Sequence, residues 1–329
     1  LSGVNPASSP ILRLETAFGG GKTHNLIALY HAASGKATAA MVHGIVDAAL
    51  LPQPGQVNVA AVVGSDLDPT TGIHHPESHL RTYTLWGELA YQLGGSSGYE
   101  LARESDANRS APGTGLFAEL LGTRPTLIML DEVARHMRAA QALPTATGKS
   151  DLAEQTVAFL MSLLEFAASR ANVVVVLTLA SAEDAFAKET EHLRTQLAEA
   201  YKVSARQERV ITPTGEAEIA AIVRHRLFAE IDAAAAAEAA QAYTAAYRRW
   251  HEQNVALPSH VLSAEYAQAL AAAYPFHPEL LNALTLRVAT IPNFQKTRGA
   301  LRLLALVVRQ VWAERPAEAM FIAPYHLDL

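Results

Sequence analysis

The chain has 329 residues, enough for two domains; half of them are apolar and 18% are charged, which is typical of a folded globular protein rather than a disordered one. It contains no cysteine, which excludes a disulfide framework, a thiolate metal site and a cysteine nucleophile. The net charge of -6 disfavours a surface that coats nucleic acid, although a local basic patch is compatible with it.

No apolar run in the sequence has the length needed to cross a bilayer, and no secretory leader is visible. We therefore expect a cytoplasmic protein with no membrane partner. The sequence begins at Leu1 rather than at a methionine and stops at Leu329 without a polar tail, so we expect a fragment of a longer polypeptide.

A glycine-rich loop follows the first predicted strand, at residues 11–14, and leads into an apolar helical pattern from residue 25. Its last residues, Gly21, Lys22 and Thr23, match the end of the phosphate-binding pattern G-x-x-x-x-G-K-[ST] (Walker A), whereas Thr16 stands where the first glycine is expected. The alternative is a glycine-rich turn that begins an ordinary helix.

The loop predicts a nucleotide site because glycines let several backbone N–H groups converge on one phosphate, and the next helix adds its positive end. Lys22 would bind the outer phosphates, and the Thr23 hydroxyl would be a ligand of Mg²⁺. The predicted ATP-binding residues are Phe18, Gly19, Gly20, Gly21, Lys22, Thr23 and His24.

Two acidic residues, Asp131 and Glu132, directly follow a predicted strand at residues 126–130. A carboxylate at the end of a buried strand can hold Mg²⁺, and an adjacent carboxylate can orient and polarise an attacking water. We therefore assign the metal role to Asp131 (Walker B) and the catalytic role to Glu132. The alternative is that the pair only caps the next helix. The upstream loop favours the first interpretation, because both segments fall on the same edge of one sheet.

A further apolar strand at residues 172–179 carries Thr178 near its end. A hydroxyl there suits contact with the γ-phosphate or the lytic water, but threonine is also a good strand former, and the sequence leaves both interpretations open.

Strands and helices alternate up to residue 212, which predicts a three-layer α/β domain with a mainly parallel sheet; the strand at residues 57–64 belongs to it. We expect a helix at residues 84–95 and an exposed connection at about 95–115. Residues 213–329 predict an all-helical domain, with an exposed or loosely packed alanine-rich insertion at about 229–250.

The order of these features along the chain resembles the order found in AAA+ P-loop ATPases. More closely, the chain is similar to the prokaryotic domain-of-unknown-function family four-nine-nine, which is associated with phage-defence islands such as BREX. The resemblance rests on four strings, at residues 18–24, 85–95, 275–280 and 295–302.

The resemblance implies further roles. Thr178 would be the sensor on the fourth core strand, and Arg298 the second-sensor arginine of a helical lid, with Arg302 as the competing candidate. Arg206 and Arg209 are weaker candidates for an arginine finger that acts on a neighbouring subunit.

The predicted function is Mg-dependent ATP binding and hydrolysis that drives a conformational change in a DNA-linked or phage-defence assembly. Its candidate partners are ATP, further copies of the chain, DNA and defence-system proteins. The alternative is a nucleotide-gated oligomerisation module with little or no hydrolysis. A small-molecule P-loop kinase is disfavoured, because the added mass is a large C-terminal helical domain rather than a small lid beside the loop.

Overall fold

The computed structural model describes residues 9–16, 21–141, 143–180, 191, 195, 208–211, 219–284, 296–316 and 319–327. The chain divides into two compact units, with the boundary between Pro213 and Thr214. None of the described helices is both long enough and apolar enough to cross a membrane.

The first unit is built on a parallel sheet, to which the described residues contribute five strands in the order β2-β5-β6-β1-β7. These strands are β1 (Ile11–Thr16), β2 (Asn58–Val63), β5 (Thr126–Asp131), β6 (Val173–Ala180) and β7 (Glu208–Ile211). A separate antiparallel pair consists of β3 (Ile73–His75) and β4 (Leu80–Thr82). The expectation of an α/β fold with a parallel sheet is confirmed.

Helices accompany the strands along the first unit. They are α1 (Lys22–Ala33), α2 (Ala39–Val42), α3 (Leu85–Asn108), α4 (Thr114–Leu121), α5 (Val133–Ala140) and α6 (Leu152–Ala168). The segment at residues 183–202 lies outside the described residues, apart from residues 191 and 195.

Both faces of the sheet are covered by apolar side chains. On one face, Ile128 and Val175 lie in a large core that includes Trp86 of α3 and Phe159 of α6. On the other face, strand residues pack with Leu26 of α1. Residues at alternate positions of β5 and β6 therefore point to opposite cores, which explains why both strands are continuously apolar.

Helix α3 is a helical hairpin rather than one rod. Gly95 interrupts it with φ 61° and ψ -149°, and the chain then continues as helix to Asn108. Asp106, near the end, accepts hydrogen bonds from the backbone N–H and hydroxyl of Thr84, at 2.9 and 2.6 Å, so the second arm returns to the start of the first. The expectation of an exposed connection from residue 95 is wrong, because Tyr99 and Ala102 are buried in this second arm.

The two arms of α3 meet at Gly98. A Cβ atom there would lie 2.4 Å from the carbonyl oxygen of Ala90 on the opposite arm, a distance that real side chains do not reach. The hairpin therefore needs the absence of a side chain at this position.

We expect Gly98→Ala to lower the free energy of unfolding by about 1–3 kcal/mol, because the added methyl must push the arms apart. Gly115→Ala is the matched control. Gly115 lies in α4, and a Cβ atom added to it would have nothing within 4 Å, so alanine should stabilise the protein by about 0.5–1 kcal/mol through helix propensity. Urea unfolding of both variants measures the difference, and equal stabilities would contradict the packing seen at Gly98.

In the second unit the elements among the described residues are helical. They are α7 (Ile219–Leu227), α8 (Ala233–Glu252), α9 (Ala264–Ala273), α10 (Pro278–Asn282) and α11 (Lys296–Glu314). Asp232 begins α8 by accepting hydrogen bonds from the backbone N–H groups of Ala234 and Ala235.

The alanine-rich helix α8 is packed along one face, so the expectation of a loose or exposed helix is wrong. Ala236, Ala239 and Ala240 are buried, and Tyr247 continues the same face. This face joins a core that includes Phe321 and Leu270. Small side chains let α8 approach its neighbours closely, which the sequence interpretation did not consider.

A buried histidine links α8 to α10. The Nδ1 atom of His277 accepts a hydrogen bond from the backbone N–H of Glu279, at 3.2 Å, and its Nε2 atom lies 2.9 Å from the hydroxyl of Tyr247. Burial lowers the pKa of His277. The neutral ring therefore caps α10 and donates its Nε2 proton to Tyr247.

Candidate active site

The carboxyl ends of β5, β6 and β1 lie side by side at one edge of the sheet. Leu130 of β5 pairs with Leu177 of β6, and Thr178 of β6 pairs with Leu14 of β1. Asp131 and Thr178, each one residue further along, are therefore neighbours, and helix α1 begins a few residues after β1 ends. The α/β fold brings these chain segments together at the edge where such sheets bind ligands.

At the centre of this edge is Asp131, a residue that is 4% exposed. Its Oδ2 accepts a hydrogen bond from the Thr23 hydroxyl at 2.8 Å, and its Oδ1 accepts one from the Thr178 hydroxyl at 2.5 Å. The backbone N–H of Glu132 also donates to Oδ1, at 3.0 Å. A buried carboxylate needs such donors, and Thr23, Asp131 and Thr178 form one polar cluster at the end of an apolar sheet.

The start of α1 depends on Gly21. Gly21 occupies the N-cap position with φ 79° and ψ 7°, a left-handed conformation that glycine adopts without strain. Lys22 is the first helical residue and is partly exposed, and Thr23 and His24 are exposed. The first turn of the helix, whose N–H groups have no partners within the helix, therefore lies beside the Asp131 carboxylate.

Glu132 has an unusual backbone. Its φ of 51° and ψ of 34° are left-handed, and its N–H lies 3.0 Å from Oδ1 of Asp131 and 3.3 Å from Oγ1 of Thr178. Glu132 occupies the N-cap position of α5, but its side chain makes no cap bond to the helix, so the alternative in which the acidic pair only caps this helix is not what the structure shows for Glu132. The carboxylate is 40% exposed and lies 3.5 Å from the guanidinium of Arg135. A surface pair of this kind contributes little energy, so the side chain is held weakly.

Two further residues fix the backbone around Glu132, and the sequence interpretation did not identify them. Gly64, directly after β2, donates its N–H to the carbonyl of Asp131 at 2.8 Å. A Cβ atom on Gly64 would lie 2.5 Å from the carbonyl oxygen of Glu132, so the approach requires glycine. The only available signal was a glycine at the end of an apolar strand.

The second residue is His136, one helical turn after Glu132. It is 1% exposed, and its Nδ1 atom lies 3.0 Å from the carbonyl oxygen of Leu67. Burial lowers the pKa of His136, so the neutral ring donates its Nδ1 proton to that carbonyl. His136 thus ties the loop after β2 to α5.

Comparison with known families gives two matches that together span nearly the whole chain. The model described as DUF499 N-terminal domain matches residues 3–210, and the model described as DUF499 second domain matches residues 214–329. The chain belongs to the DUF499 family. Searches among curated proteins and among solved structures gave no match.

The oxygen atoms of this DUF499 site suit a hard cation. Thr23 contributes a hydroxyl and Asp131 a carboxylate on the same side of the cluster, and Mg²⁺ prefers oxygen ligands together with water and substrate phosphates. Among the described residues, no group of three or more histidine, aspartate or glutamate side chains forms a metal cage. Thr23 and Asp131 could therefore contribute a hydroxyl and a carboxylate to a bound cation.

The remaining predicted site residues of the DUF499 chain are either outside the described residues or lie elsewhere in their own unit. Phe18, Gly19, Gly20 and Arg206 lie outside the described residues, as does the side chain of Arg298, whose backbone is in α11. Arg302 is exposed on α11, and Arg209 is exposed on β7. Thr16 ends β1, paired with Ala180.

Proposed function

We propose that this DUF499 protein binds ATP with Mg²⁺ and hydrolyses it. The observation that carries the proposal is the hydrogen-bonded cluster of Thr23, Asp131 and Thr178 beside the start of α1. A buried carboxylate that accepts from the hydroxyl of a Gly-Lys-Thr sequence, 108 residues away in the chain, is an arrangement with a ready use in nucleotide binding.

The chain's own residues supply the binding step. Backbone N–H groups of the glycine loop and of the first turn of α1 would hold the phosphates, and the Lys22 ammonium would neutralise the outer ones. Thr23 and Asp131 would hold Mg²⁺, Asp131 through water. When bound, Mg²⁺ neutralises the charge that develops on the phosphate oxygens.

Glu132 is the proposed catalytic residue. Its backbone is fixed by Asp131, Thr178 and Gly64, whereas its carboxylate extends into solvent beside the cluster. A carboxylate so placed can orient a water and accept its proton during in-line attack on the γ-phosphorus. Thr178 lies on β6, between the strand that precedes the loop and the strand that ends in Asp131, which supports a sensor role.

The products would be ADP and phosphate, and the change in charge at the loop would drive a conformational change that involves the second, helical unit. We propose that this unit acts as a lid, with Arg298 or Arg302 sensing the γ-phosphate. Because the DUF499 family is associated with phage-defence islands, we propose that the motion acts on DNA or on phage-defence partners in a cytoplasmic assembly.

A nucleotide-gated scaffold is the second candidate. What favours it is that the sequence offers only weak candidates, Arg206 and Arg209, for an arginine finger that would act on a neighbouring subunit. In this case ATP would bind and order an oligomer, and turnover would be slow or absent.

Phosphate release from ATP by the purified protein tests the proposal. We expect release in Mg²⁺, its loss when EDTA removes the metal, and recovery when Mg²⁺ is restored in excess. Lys22→Ala should weaken ATP binding by more than about tenfold, because a charge-assisted hydrogen bond contributes about 1.5–3 kcal/mol. Lys149→Ala, at an exposed lysine in a loop of the same unit, is the matched control. Equal ATP affinity of the two variants would count against a phosphate-binding role of the loop.

A further inference from the structure

Helix α11 is strongly basic within an acidic protein. Its sequence contains Lys296, Arg298, Arg302 and Arg309 against a single acidic residue, Glu314, whereas the whole chain has a net charge of -6. Such a separation of charge attracts an anionic partner to this helix.

Two of the basic residues, Arg302 and Arg309, share the exposed face of α11 with large apolar side chains. Leu304 and Val307 are buried in the core of the second unit. Away from them, Leu306 is 63% exposed and Trp312 is 72% exposed, and Arg302 and Arg309 are exposed as well. At 100° per residue, Arg302 and Arg309 lie within about 20° of each other and Trp312 within about 60° of Arg309. We call Arg302, Leu306, Arg309, Trp312 and Arg315 the α11 stripe.

The end of the helix holds the indole in place. Arg315 has a left-handed φ of 46°, and its N–H donates to the carbonyl of Val311 at 2.8 Å. The turn brings the guanidinium carbon of Arg315 to 5.9 Å from the centre of the Trp312 ring. A cation at this distance is attracted to the aromatic face, so the ring is supported on one side while most of its surface is in solvent.

We propose that the α11 stripe binds single-stranded nucleic acid. An exposed indole offers a flat surface on which a base can stack, and the neighbouring arginines attract phosphates. In a duplex the faces of the bases are stacked on each other, so this combination favours a single strand. Glu314 does not oppose the charge, because it lies about 160° around the helix from Trp312 and accepts a hydrogen bond from Gln310.

The proposal does not depend on ATP hydrolysis, since it rests on residues of the second unit alone. Its test uses the whole 329-residue protein without nucleotide, and a fluorescently labelled 20-nucleotide oligo(dT) as the probe. Anisotropy gives the dissociation constant at several salt concentrations.

We expect Trp312→Ala to weaken binding by roughly 5- to 150-fold, which corresponds to the loss of one stacked base. Tyr325→Ala is the matched control, because Tyr325 is 71% exposed and lies outside the stripe. Arg309→Ala should reduce the slope of log affinity against log salt by about 0.7, the value for one phosphate contact on a single strand. Arg103→Ala, at an exposed arginine of the first unit, should leave the slope unchanged.

The alternative partners are outcomes of the same experiment. Wild-type protein that ignores oligo(dT) but binds anionic phospholipid vesicles or a poly-glutamate peptide would overturn the proposal. So would equal affinity for oligo(dT) and a 20-base-pair duplex without dependence on Trp312. Circular dichroism of the variants excludes unfolding as the cause of lost binding.

Discussion

Glu132→Gln is expected to lower the rate of ATP hydrolysis by about 10²- to 10⁴-fold, the usual contribution of a general base, while ATP affinity stays close to the wild-type value. Glutamine has the same shape but cannot accept the proton of the attacking water. The Glu132 backbone holds its position through its own N–H, which is unchanged in the variant. Single-turnover phosphate release and equilibrium ATP binding together measure the effect.

Glu119→Gln is the control for this variant, since Glu119 is an exposed glutamate on α4 in the same unit. It should hydrolyse ATP at the wild-type rate. If wild type and Glu132→Gln bound ATP and were equally inactive, the scaffold function would replace the ATPase. If labelled ATP yielded a phosphorylated acceptor rather than free phosphate, a kinase would be indicated instead.

Replacing Asp131 separates its proposed metal role from its role in the fold. Asp131→Asn keeps a carbonyl oxygen for Thr178 and for the Glu132 N–H, and its amide group can donate to Thr23. We therefore expect a stability near that of the wild type but a loss of Mg-dependent turnover of about 10²-fold or more, because stabilisation by the metal amounts to several kcal/mol.

Asp131→Ala removes the acceptor altogether. The Thr178 hydroxyl and the Glu132 N–H would lose their common partner in a buried environment, at about 1–3 kcal/mol for each unsatisfied group. We expect a loss of about 2–5 kcal/mol of unfolding free energy, measured in urea, in addition to the loss of turnover. Hydrolysis by Asp131→Asn at the wild-type rate in Mg²⁺ would refute the metal role.

The sheet could be predicted from the sequence because its strands are short, apolar and rich in β-branched residues. The strand expected at residues 172–179 is observed as Val173–Ala180, and the one at 126–130 as Thr126–Asp131. Burial on both faces produces this uninterrupted apolar pattern, which few helices share.

The course of α3 could not be predicted, because a glycine near the end of a helical pattern indicates a stop but carries no information about the next segment. Gly95 does interrupt the helix, but Asp106 makes the next segment a second arm by bonding back to Thr84. That contact joins residues 22 positions apart and leaves no local signal. The packing of α8 was missed for a related reason, since alanine propensity says nothing about the residues that lie beside the helix.

At the candidate site, the sequence predicted Thr23 and Asp131 as ligands of the same Mg²⁺ ion, and the structure places their oxygen atoms 2.8 Å apart. The sequence did not indicate that Thr178 donates a hydrogen bond to the Asp131 carboxylate, because Thr178 and Asp131 come together only through the pairing of β5 with β6. The roles of Lys22, Glu132 and Arg298 in catalysis stay predictions.

The contact between Gly64 and Glu132 has a mechanical consequence. The Cα atom of Gly64 and the carbonyl group of Glu132 lie so close that the loop after β2 and the backbone of the acidic pair cannot slide past each other. One helical turn later, His136 bonds the same loop to α5. A displacement of this loop would therefore move the backbone of residue 132, and with it the origin of the Glu132 side chain.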